Sequence, residues 1–130
     1  MRGSILFRIQ RWLYFLLKGV GKAEKEHYLF ILDKPLNDLE LYQSLADFGW
    51  SPNTLGYTYK GQIYQCRKIK DRGIHQYHLR FYDDGKVTGH FELAPEIDVS
   101  DHLKGKDLRT MNKWESVMLR KTIKRGEYGR

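Results

Sequence analysis

Cysteine is almost absent from this chain, which carries a single thiol at Cys66. One cysteine excludes an intramolecular disulfide and a zinc site built from several cysteines. Its scarcity is typical of a reducing compartment, so the sequence favours a cytoplasmic protein. No uncharged apolar run approaches the roughly 20 residues that a membrane-spanning helix needs. A signal peptide is also disfavoured, because Arg8 and Arg11 interrupt the apolar stretch near the start.

Several short motifs with established chemistry are missing as well. The sequence contains no Gly-x-Ser-x-Gly elbow, no Gly-x4-Gly-Lys phosphate loop and no Gly-x-Gly-x-x-Gly turn. ATPase, kinase, dinucleotide-dependent and α/β-hydrolase functions therefore lack support, and no cofactor is predicted. There is no helix-turn-helix or zinc-finger pattern, so sequence-specific recognition of duplex DNA is disfavoured.

Positive charge, by contrast, is abundant and comes in blocks. The net charge is +7. Residues 1–23 hold five basic and no acidic side chains, residues 60–73 hold five and one, and residues 104–130 hold nine and three. Such blocks favour a polyanionic partner, either nucleic acid or an anionic membrane surface.

The first block coincides with a predicted amphipathic helix over residues 4–20. Its apolar side chains recur at helical spacing, while Arg8, Arg11 and Lys18 lie off that stripe. Residues 1–22 could form a separable segment. This helix could pack on the protein's own sheet, dock on a partner protein or a second copy, or lie in an anionic membrane surface.

The rest of the chain predicts one domain over residues 1–130 with an α+β fold. We expect a mainly antiparallel sheet of four to five strands, arranged as a meander of hairpins. Residues 27–33 are apolar on both faces, which indicates a central strand. Further strands are predicted over residues 57–59 and 62–69.

Two further helices are predicted from their capping signals. Asn37 and Glu40 form a capping-box pair that begins a helix over residues 38–48. Asn112 and Glu115 repeat the signal and begin a basic C-terminal helix that ends at Gly126, followed by a frayed tail over residues 127–130. The side chains expected to face the core are Leu41, Leu45 and Phe48 in the first helix and Trp114, Val117, Met118 and Ile123 in the second.

The register of one β-hairpin can be derived from residues 76–93. A three-residue loop over Asp83, Asp84 and Gly85 pairs Tyr82 with Lys86 and gives the glycine the left-handed position that such loops need. Only this register separates apolar from polar side chains. It sets His78 opposite His90. Pairing Ile69 with Ile74 across the preceding turn extends the same polar face, which then comprises Gln65, Arg67, Gln76, His78, Arg80, Thr88, His90 and Glu92.

Two facing imidazoles could cleave a phosphodiester without a metal. One neutral and one charged histidine, His78 and His90, would act as general base and general acid on RNA. Arg80 and Arg67 could stabilise the negative phosphoryl group, and Glu92 completes the predicted catalytic set. The simpler alternative is a solvated sheet face with no catalytic role. A metal site of His78, His90 and Glu92 ranks lower, because the motif is weak and Arg80 disfavours a cation, so no metal is predicted.

Nucleic-acid binding, to RNA or another single strand, is the function that the sequence favours. Exposed tyrosines can stack on unpaired bases while lysine and arginine hold phosphates. The predicted contacts are Lys60, Arg67, Lys68, Lys70, Arg72, Tyr57, Tyr59, Lys121, Lys124 and Arg125. Two other classes stay open: an accessory or interaction module of a larger assembly, and a peripheral membrane protein anchored by residues 4–20.

Overall fold

A six-stranded antiparallel sheet organises the structure, a computed structural model that describes residues 27–53 and 58–128, with side chains described up to residue 123. The strands are β1 (Tyr28–Ile31), β2 (Ser51–Pro52), β3 (Gln62–Lys70), β4 (His75–Tyr82), β5 (Lys86–Leu93) and β6 (Arg109–Thr110). The helices are α1 (Asp38–Leu45), α2 (Val99–Leu103) and α3 (Lys113–Tyr128). Along the sheet the order is β1-β5-β4-β3-β2, and β6 also pairs with β5. The predicted α+β class is therefore confirmed.

The β4–β5 hairpin has the register derived from the sequence. Phe81 pairs with Val87, Leu79 with Gly89, and His78 with His90. Gly85 has φ +89°, and its N–H donates to the carbonyl of Tyr82 at 3.0 Å, as a three-residue loop requires. Separation of apolar from polar side chains was therefore enough to fix this pairing.

The β3–β4 register differs from the prediction by two positions. Lys70 pairs with His75, so Ile69 lies opposite Gln76 instead of Ile74. Because side chains alternate with a period of two, a shift of two leaves every residue on its predicted face. The polar and apolar faces of β3 are therefore as expected, although the directly opposed neighbours are not.

The prediction that residues 27–33 form a central strand is wrong. The strand β1 is shorter and lies at the end of the sheet, where Tyr28 and Ile31 are exposed. Both β1 and β6 pair with β5, β1 near the hairpin loop and β6 further along the strand.

The predicted strand over residues 57–59 is also not confirmed at Tyr59, which lies outside any strand. The strand that pairs with the outer side of β3 is β2, formed by Ser51 and Pro52.

The helices begin where the capping signals place them. The Asn37 side chain accepts from the N–H of Glu40, and the Glu40 carboxylate accepts from the N–H of Asn37. The Asn112 side chain accepts from the N–H of Glu115. The α1 helix tightens into a 3₁₀ turn over residues 46–48 before Gly49. The α3 helix continues past Gly126 to Tyr128, so the predicted end at that glycine is wrong.

The core lies between one sheet face and the helices α1 and α3. Leu41 and Leu45 of α1 meet Leu119 and Ile123 of α3, above Leu79, Phe81 and Val87 of the sheet. Ile123 is buried as predicted. The predicted inward positions of Trp114, Val117, Met118 and Phe48 are wrong, since all of these side chains are exposed, Trp114 by 70%. The buried stripe of α3 runs through Leu119 and Ile123, four residues apart.

The predicted amphipathic helix over residues 4–20 lies outside the described residues, as does Tyr57. The docking and membrane roles of that segment stay predictions. Within residues 27–53 and 58–128, no helix is both long enough and apolar enough to cross a bilayer.

Candidate functional site

The sheet face opposite the core is polar, and it is buried. Every one of its central side chains is at most 8% exposed, so the alternative of a solvated sheet face does not hold. The buried set comprises Gln65, Gln76, His78, Arg80, Thr88, His90 and Glu92. Polar groups are costly to bury unless they are paired, so the contacts of this set are the key to its role.

Described residues from four other parts of the chain pack on this polar face. Asn53 reaches His78, the ring of His27 lies edge-on to His90, and Tyr59 covers Arg80. His102 and Glu96 come from the segment that follows β5. The face is therefore an enclosed site built by several segments.

Glu92 is the centre of this site. Its Oε1 lies 3.0 Å from His90 Nε2 and 3.7 Å from His102 Nδ1. Its Oε2 accepts a hydrogen bond from Gln76 at 2.7 Å and lies 3.5 Å from His78 Nδ1. Burial alone would raise the pKa of Glu92, but the neighbouring imidazoles of His78 and His90 outweigh it and hold that pKa well below its usual value. Glu92 is therefore an ionised carboxylate inside the protein.

A chain of hydrogen bonds orients this carboxylate from the surface inward. Arg67 makes a two-pronged contact with Glu96, at 2.7 and 2.6 Å, and donates to Gln76 Oε1 at 3.1 Å. Gln76 in turn donates to Glu92. Arg67 was predicted as a nucleic-acid or phosphoryl contact, but the structure engages its guanidinium within the protein.

His78 and His90 face each other with ring centroids 5.4 Å apart. Burial lowers the pKa of His78 to about 4, against the opposing influence of Glu92. His78 is therefore neutral at pH 7. Its Nε2 lies 2.8 Å from Gln65 Oε1 and 3.2 Å from the side-chain amide of Asn53.

The predicted site residues on β4 and β5 are thus brought together, and several partners of the site had no signal in the sequence. His27 stands at the start of the predicted strand over residues 27–33, and Glu96 and Asn53 belong to no predicted helix or strand. His102 also reaches the sheet, where its Nδ1 donates to the carbonyl of Leu93 at 2.8 Å. Loop residues carry no periodicity, so only the three-dimensional fold places them.

Compared with models of protein families, with curated proteins and with solved structures, the chain matches none of them. Its function must therefore be argued from its own geometry.

The residues predicted to contact nucleic acid do not form one surface. Lys60 and Arg72 are exposed at opposite ends of β3, about 30 Å apart for a nine-residue strand. Tyr59 packs its ring 4.7 Å from the Arg80 guanidinium and is half-buried, so it is not a free stacking surface. Lys121 is exposed on α3, and the side chains of Lys124 and Arg125 lie outside the described set.

A different basic surface is present on the core side of the sheet, near its β6 end. Trp50, Tyr77 and Phe91 form a row of rings, with centroids 6.3 and 5.6 Å apart. A cation lies over each ring: Lys68 over Trp50 at 6.0 Å, Lys70 over Tyr77 at 5.6 Å and Arg109 over Phe91 at 4.0 Å. We call these six side chains the cation–ring row. Lys68 and Lys70 were predicted as contacts; Arg109 and the three rings were not.

His75 ends this row, stacked on Phe91 at 4.7 Å. Hydrogen bonds to Asp107 and then Asp71, opposed by burial, raise the pKa of His75 above its ordinary value. A raised pKa stabilises the fold fully below the unfolded-state value of about 6.5, and the stabilisation is lost as pH rises through the folded-state value.

We therefore expect His75→Gln to destabilise the protein more at about pH 5.5 than at about pH 9. Urea unfolding of both proteins at the two pH values gives the difference in free energy of unfolding. An equal difference at both values would contradict the role of the protonated imidazole.

Proposed function

We propose that this protein binds RNA or another single-stranded nucleic acid through the cation–ring row. The observation that supports this most directly is the placement of Lys68, Lys70 and Arg109 on three adjacent aromatic rings. Aromatic contacts hold the aliphatic stems of these side chains in place, so their charged ends stay close together at the surface. Closely spaced cations match the regular spacing of phosphates along a strand.

The acidic groups near the row are engaged by other side chains. The Tyr77 hydroxyl donates to Glu115, while Asp71 and Asp107 hydrogen-bond the His75 imidazole. Arg109 also donates to the carbonyl of Thr110 at 3.2 Å, a neutral partner that leaves its positive charge uncompensated. Trp114, which precedes Glu115 at the start of α3, is 70% exposed and offers a ring on which an unpaired base could stack.

Neutralising the row should weaken binding and flatten its salt dependence. For the triple variant Lys68→Gln, Lys70→Gln and Arg109→Gln, we expect at least a tenfold loss of affinity for a single-stranded RNA at low salt. Each phosphate contact contributes about −0.7 to the slope of log affinity against log salt, so losing three changes the slope by about 2. Fluorescence anisotropy with a labelled oligonucleotide over a range of salt concentrations measures both quantities.

Lys86 supplies a matched control, because its ammonium lies 4.3 Å from the Tyr82 ring at the far end of the sheet. Lys86→Gln removes a cation from the same kind of contact and should leave affinity and slope close to those of the wild type. A loss of log affinity in the control about one third as large as in the triple variant would mean that only net charge matters, since the control removes one charge and the triple variant removes three. Unchanged binding in the triple variant would contradict the proposal and would mean that the row only covers the apolar core.

RNA cleavage without a metal is a second candidate function, supported by the facing pair of His78 and His90. Neutral His78 would be the general base, His90 the general acid, and Arg80 the phosphoryl contact. Geometry supports this less than binding, because both imidazoles are only 5% exposed and the ionised Glu92 between them repels a phosphate.

If this chemistry occurs, labelled single-stranded RNA is cleaved in the presence of a chelator. Replacing either His78 or His90 by alanine should then lower the cleavage rate by about 100-fold or more. Thr88→Ala, on the same face, is the matched control and should leave the rate unchanged. Absence of cleavage by the folded wild-type protein in chelator would rule out the metal-independent reaction.

A further inference from the structure

We propose that His78, His90 and Glu92 bind a divalent transition-metal ion, of the class that takes two imidazoles and a carboxylate, such as zinc or ferrous iron. One nitrogen of each histidine and one carboxylate oxygen lie within 4.8 Å of one another, and all three side chains are buried. The ligands come from two adjacent strands whose pairing holds them in place. The proposed metal site lies on the opposite face of the sheet from the cation–ring row, so a metal could bind there whether or not the row binds nucleic acid.

The spacing of the donor atoms suits a small metal ion. With metal–ligand bonds of about 2.0–2.1 Å in a tetrahedral site, ligand atoms lie about 3.3 Å apart. His90 Nε2 is 3.0 Å from Glu92 Oε1, and His78 Nδ1 is 3.5 Å from Glu92 Oε2. Both separations are close to the required value, but they involve different oxygens of Glu92, and the three ligand atoms are up to 4.8 Å apart, so the set would have to contract around the ion.

The nitrogen of His90 points at the site without a hydrogen bond. His90 Nε2 is fully buried and makes no hydrogen bond to the described part of the chain, although the Glu92 oxygen is only 3.0 Å away. A buried polar atom rarely goes unpaired in a native protein, so such an atom calls for an explanation. A metal ion between the nitrogen and the carboxylate would satisfy both.

The hydrogen bonds of His78 leave its other nitrogen available for a metal. Gln65 Oε1, 2.8 Å from Nε2, can only accept, so it favours the tautomer with the proton on Nε2. Asn53 Nδ2, 3.2 Å from the same nitrogen, can only donate and favours the other tautomer, so a ligand at Nδ1 would decide between them. With the proton on Nε2, the Nδ1 lone pair would take a metal ion, and the ion would replace the direct interaction of Nδ1 with the Glu92 carboxylate 3.5 Å away.

Neighbouring side chains hydrogen-bond to the proposed metal ligands and fix their orientation, as is usual around metal sites. Gln76 fixes the Glu92 carboxylate at 2.7 Å, and Gln65 fixes the ring orientation of His78. Arg80 lies nearby on the same face, and its positive charge opposes a cation. The buried negative charge of Glu92 offsets this, and Arg80 beside a metal would favour an anionic ligand in any remaining coordination position.

A second group of one histidine and two carboxylates in the same protein shows the contrast. His75 meets Asp71 through Nδ1 and Asp107 through Nε2. These nitrogens point in opposite directions from the ring, so no single ion can bridge the three groups. His75→Gln is therefore a control that removes a histidine with two carboxylate partners without touching the proposed site.

The test is to refold the full chain with zinc sulfate or with a chelator and to measure bound zinc and the thermal midpoint. We expect about one tightly held zinc per chain. We also expect a rise in Tm of roughly 10 °C when free zinc is a hundredfold above the dissociation constant. Glu92→Gln and His90→Gln should lose the bound zinc and the shift, whereas His75→Gln should keep both.

Because these variants alter a buried cluster, the zinc-loaded wild type provides an independent measurement. X-ray absorption should show only nitrogen and oxygen ligands at about 2.0–2.1 Å, two of them imidazoles. A sulfur ligand, which would indicate Cys66, would overturn the proposal. The proposal would also be overturned if zinc still raised the Tm of both Glu92→Gln and His90→Gln as folded proteins, or if the wild type took up neither zinc nor ferrous iron. Metal-free RNA cleavage lost in both His78→Ala and His90→Ala would also overturn it, since a metal would occupy the lone pairs which that reaction uses.

Discussion

Replacing Gly85 by alanine is expected to destabilise the fold by about 2–4 kcal/mol, combining backbone strain with steric overlap. Gly85 has φ +89°, a region where a side chain costs about 1–2 kcal/mol. A β-carbon at this position would also lie 2.9 Å from the carbonyl oxygen of Leu32. That oxygen belongs to the backbone just after β1, which is tied to the hairpin by the 2.8 Å hydrogen bond from Leu32 N–H to the Gly85 carbonyl. The clash can be relieved only if β1 and the hairpin loop move apart.

Gly73→Ala separates the two contributions. Gly73 has φ +97°, yet a β-carbon there would meet nothing within 4 Å. We expect it to cost about 1–2 kcal/mol from strain alone, and Gly85→Ala to cost about 1–2 kcal/mol more. Urea or thermal unfolding of the two variants measures this difference. Equal destabilisation would show that β1 does not press against the hairpin loop.

The β4–β5 hairpin could be derived from the sequence because two independent constraints agree there. Its loop has a single glycine at the position that needs a positive φ, and its strands separate apolar from polar side chains in one register only. The facing pair of His78 and His90 followed from that register. Where the turn residues and the alternation of side chains favour the same strand register, the sequence is enough to predict which residues face each other across the strands.

The β3–β4 turn lacks such agreement. Its loop covers residues 71–74, one position further along than predicted, which shifts the pairing by two. Asp71, Arg72 and Gly73 all have positive φ, and two of these are residues that seldom adopt it. The sequence alone gives no reason to expect that conformation. The hydrogen bond between Asp71 and His75 in the structure shows one contact that supports it.

The edge position of β1 and the orientation of α3 could not be derived for a different reason. Apolar side chains on both faces indicate burial only if something covers both faces, and Tyr28 and Ile31 are exposed among the described residues. In α3, Trp114, Val117 and Met118 are as apolar as the residues that face the core. Hydrophobicity ranks side chains for burial, but the choice among several apolar stripes depends on the partner surface.

The candidate site shows the same division between pattern and fold. Alternation placed its histidines, arginine and carboxylate on one face, but it could not show that the face is buried. Burial changes the chemistry: it lowers the pKa of His78 to about 4, so the imidazole stays neutral even in mild acid. It would raise the pKa of Glu92, but the imidazoles of His78 and His90 hold that pKa well below its usual value. An enclosed, convergent set of side chains suits a bound ion better than a large polyanion. Nucleic-acid binding is therefore proposed for the cation–ring row, where the rings of Trp50 and Tyr77 are buried but the cations reach the surface.

The largest effect of a single substitution is expected for Leu79→Ala. Leu79 is fully buried at the centre of the sheet, directly opposite Gly89. Truncating it removes apolar contacts and leaves a cavity, at a cost of about 2–5 kcal/mol. Thermal or urea unfolding gives this value, and a cost below about 1 kcal/mol would contradict the described core.

Gly89→Ala should partly rescue Leu79→Ala, although it destabilises the wild-type protein. A β-carbon on Gly89 would lie 2.5 Å from Leu79 Cδ2 and 2.9 Å from Leu29 Cδ1, so alone it should cost about 1–3 kcal/mol by overpacking. Truncating Leu79 removes the closer of these atoms and opens space for the new methyl. The double variant should therefore be less destabilised than the sum of the two single variants by about 1 kcal/mol or more.

Gly73→Ala combined with Leu79→Ala is the additive control, because a β-carbon at Gly73 meets no neighbour. Coupling between positions 79 and 89, with none between 79 and 73, would place the two residues in direct contact across the strands. Additivity in both pairs would mean that Leu79 does not face Gly89. Because side chains on one face follow each other every second residue, that result would also remove the opposition of His78 to His90 one position away. A stability measurement in the apolar core thus tests the geometry on which the polar site depends.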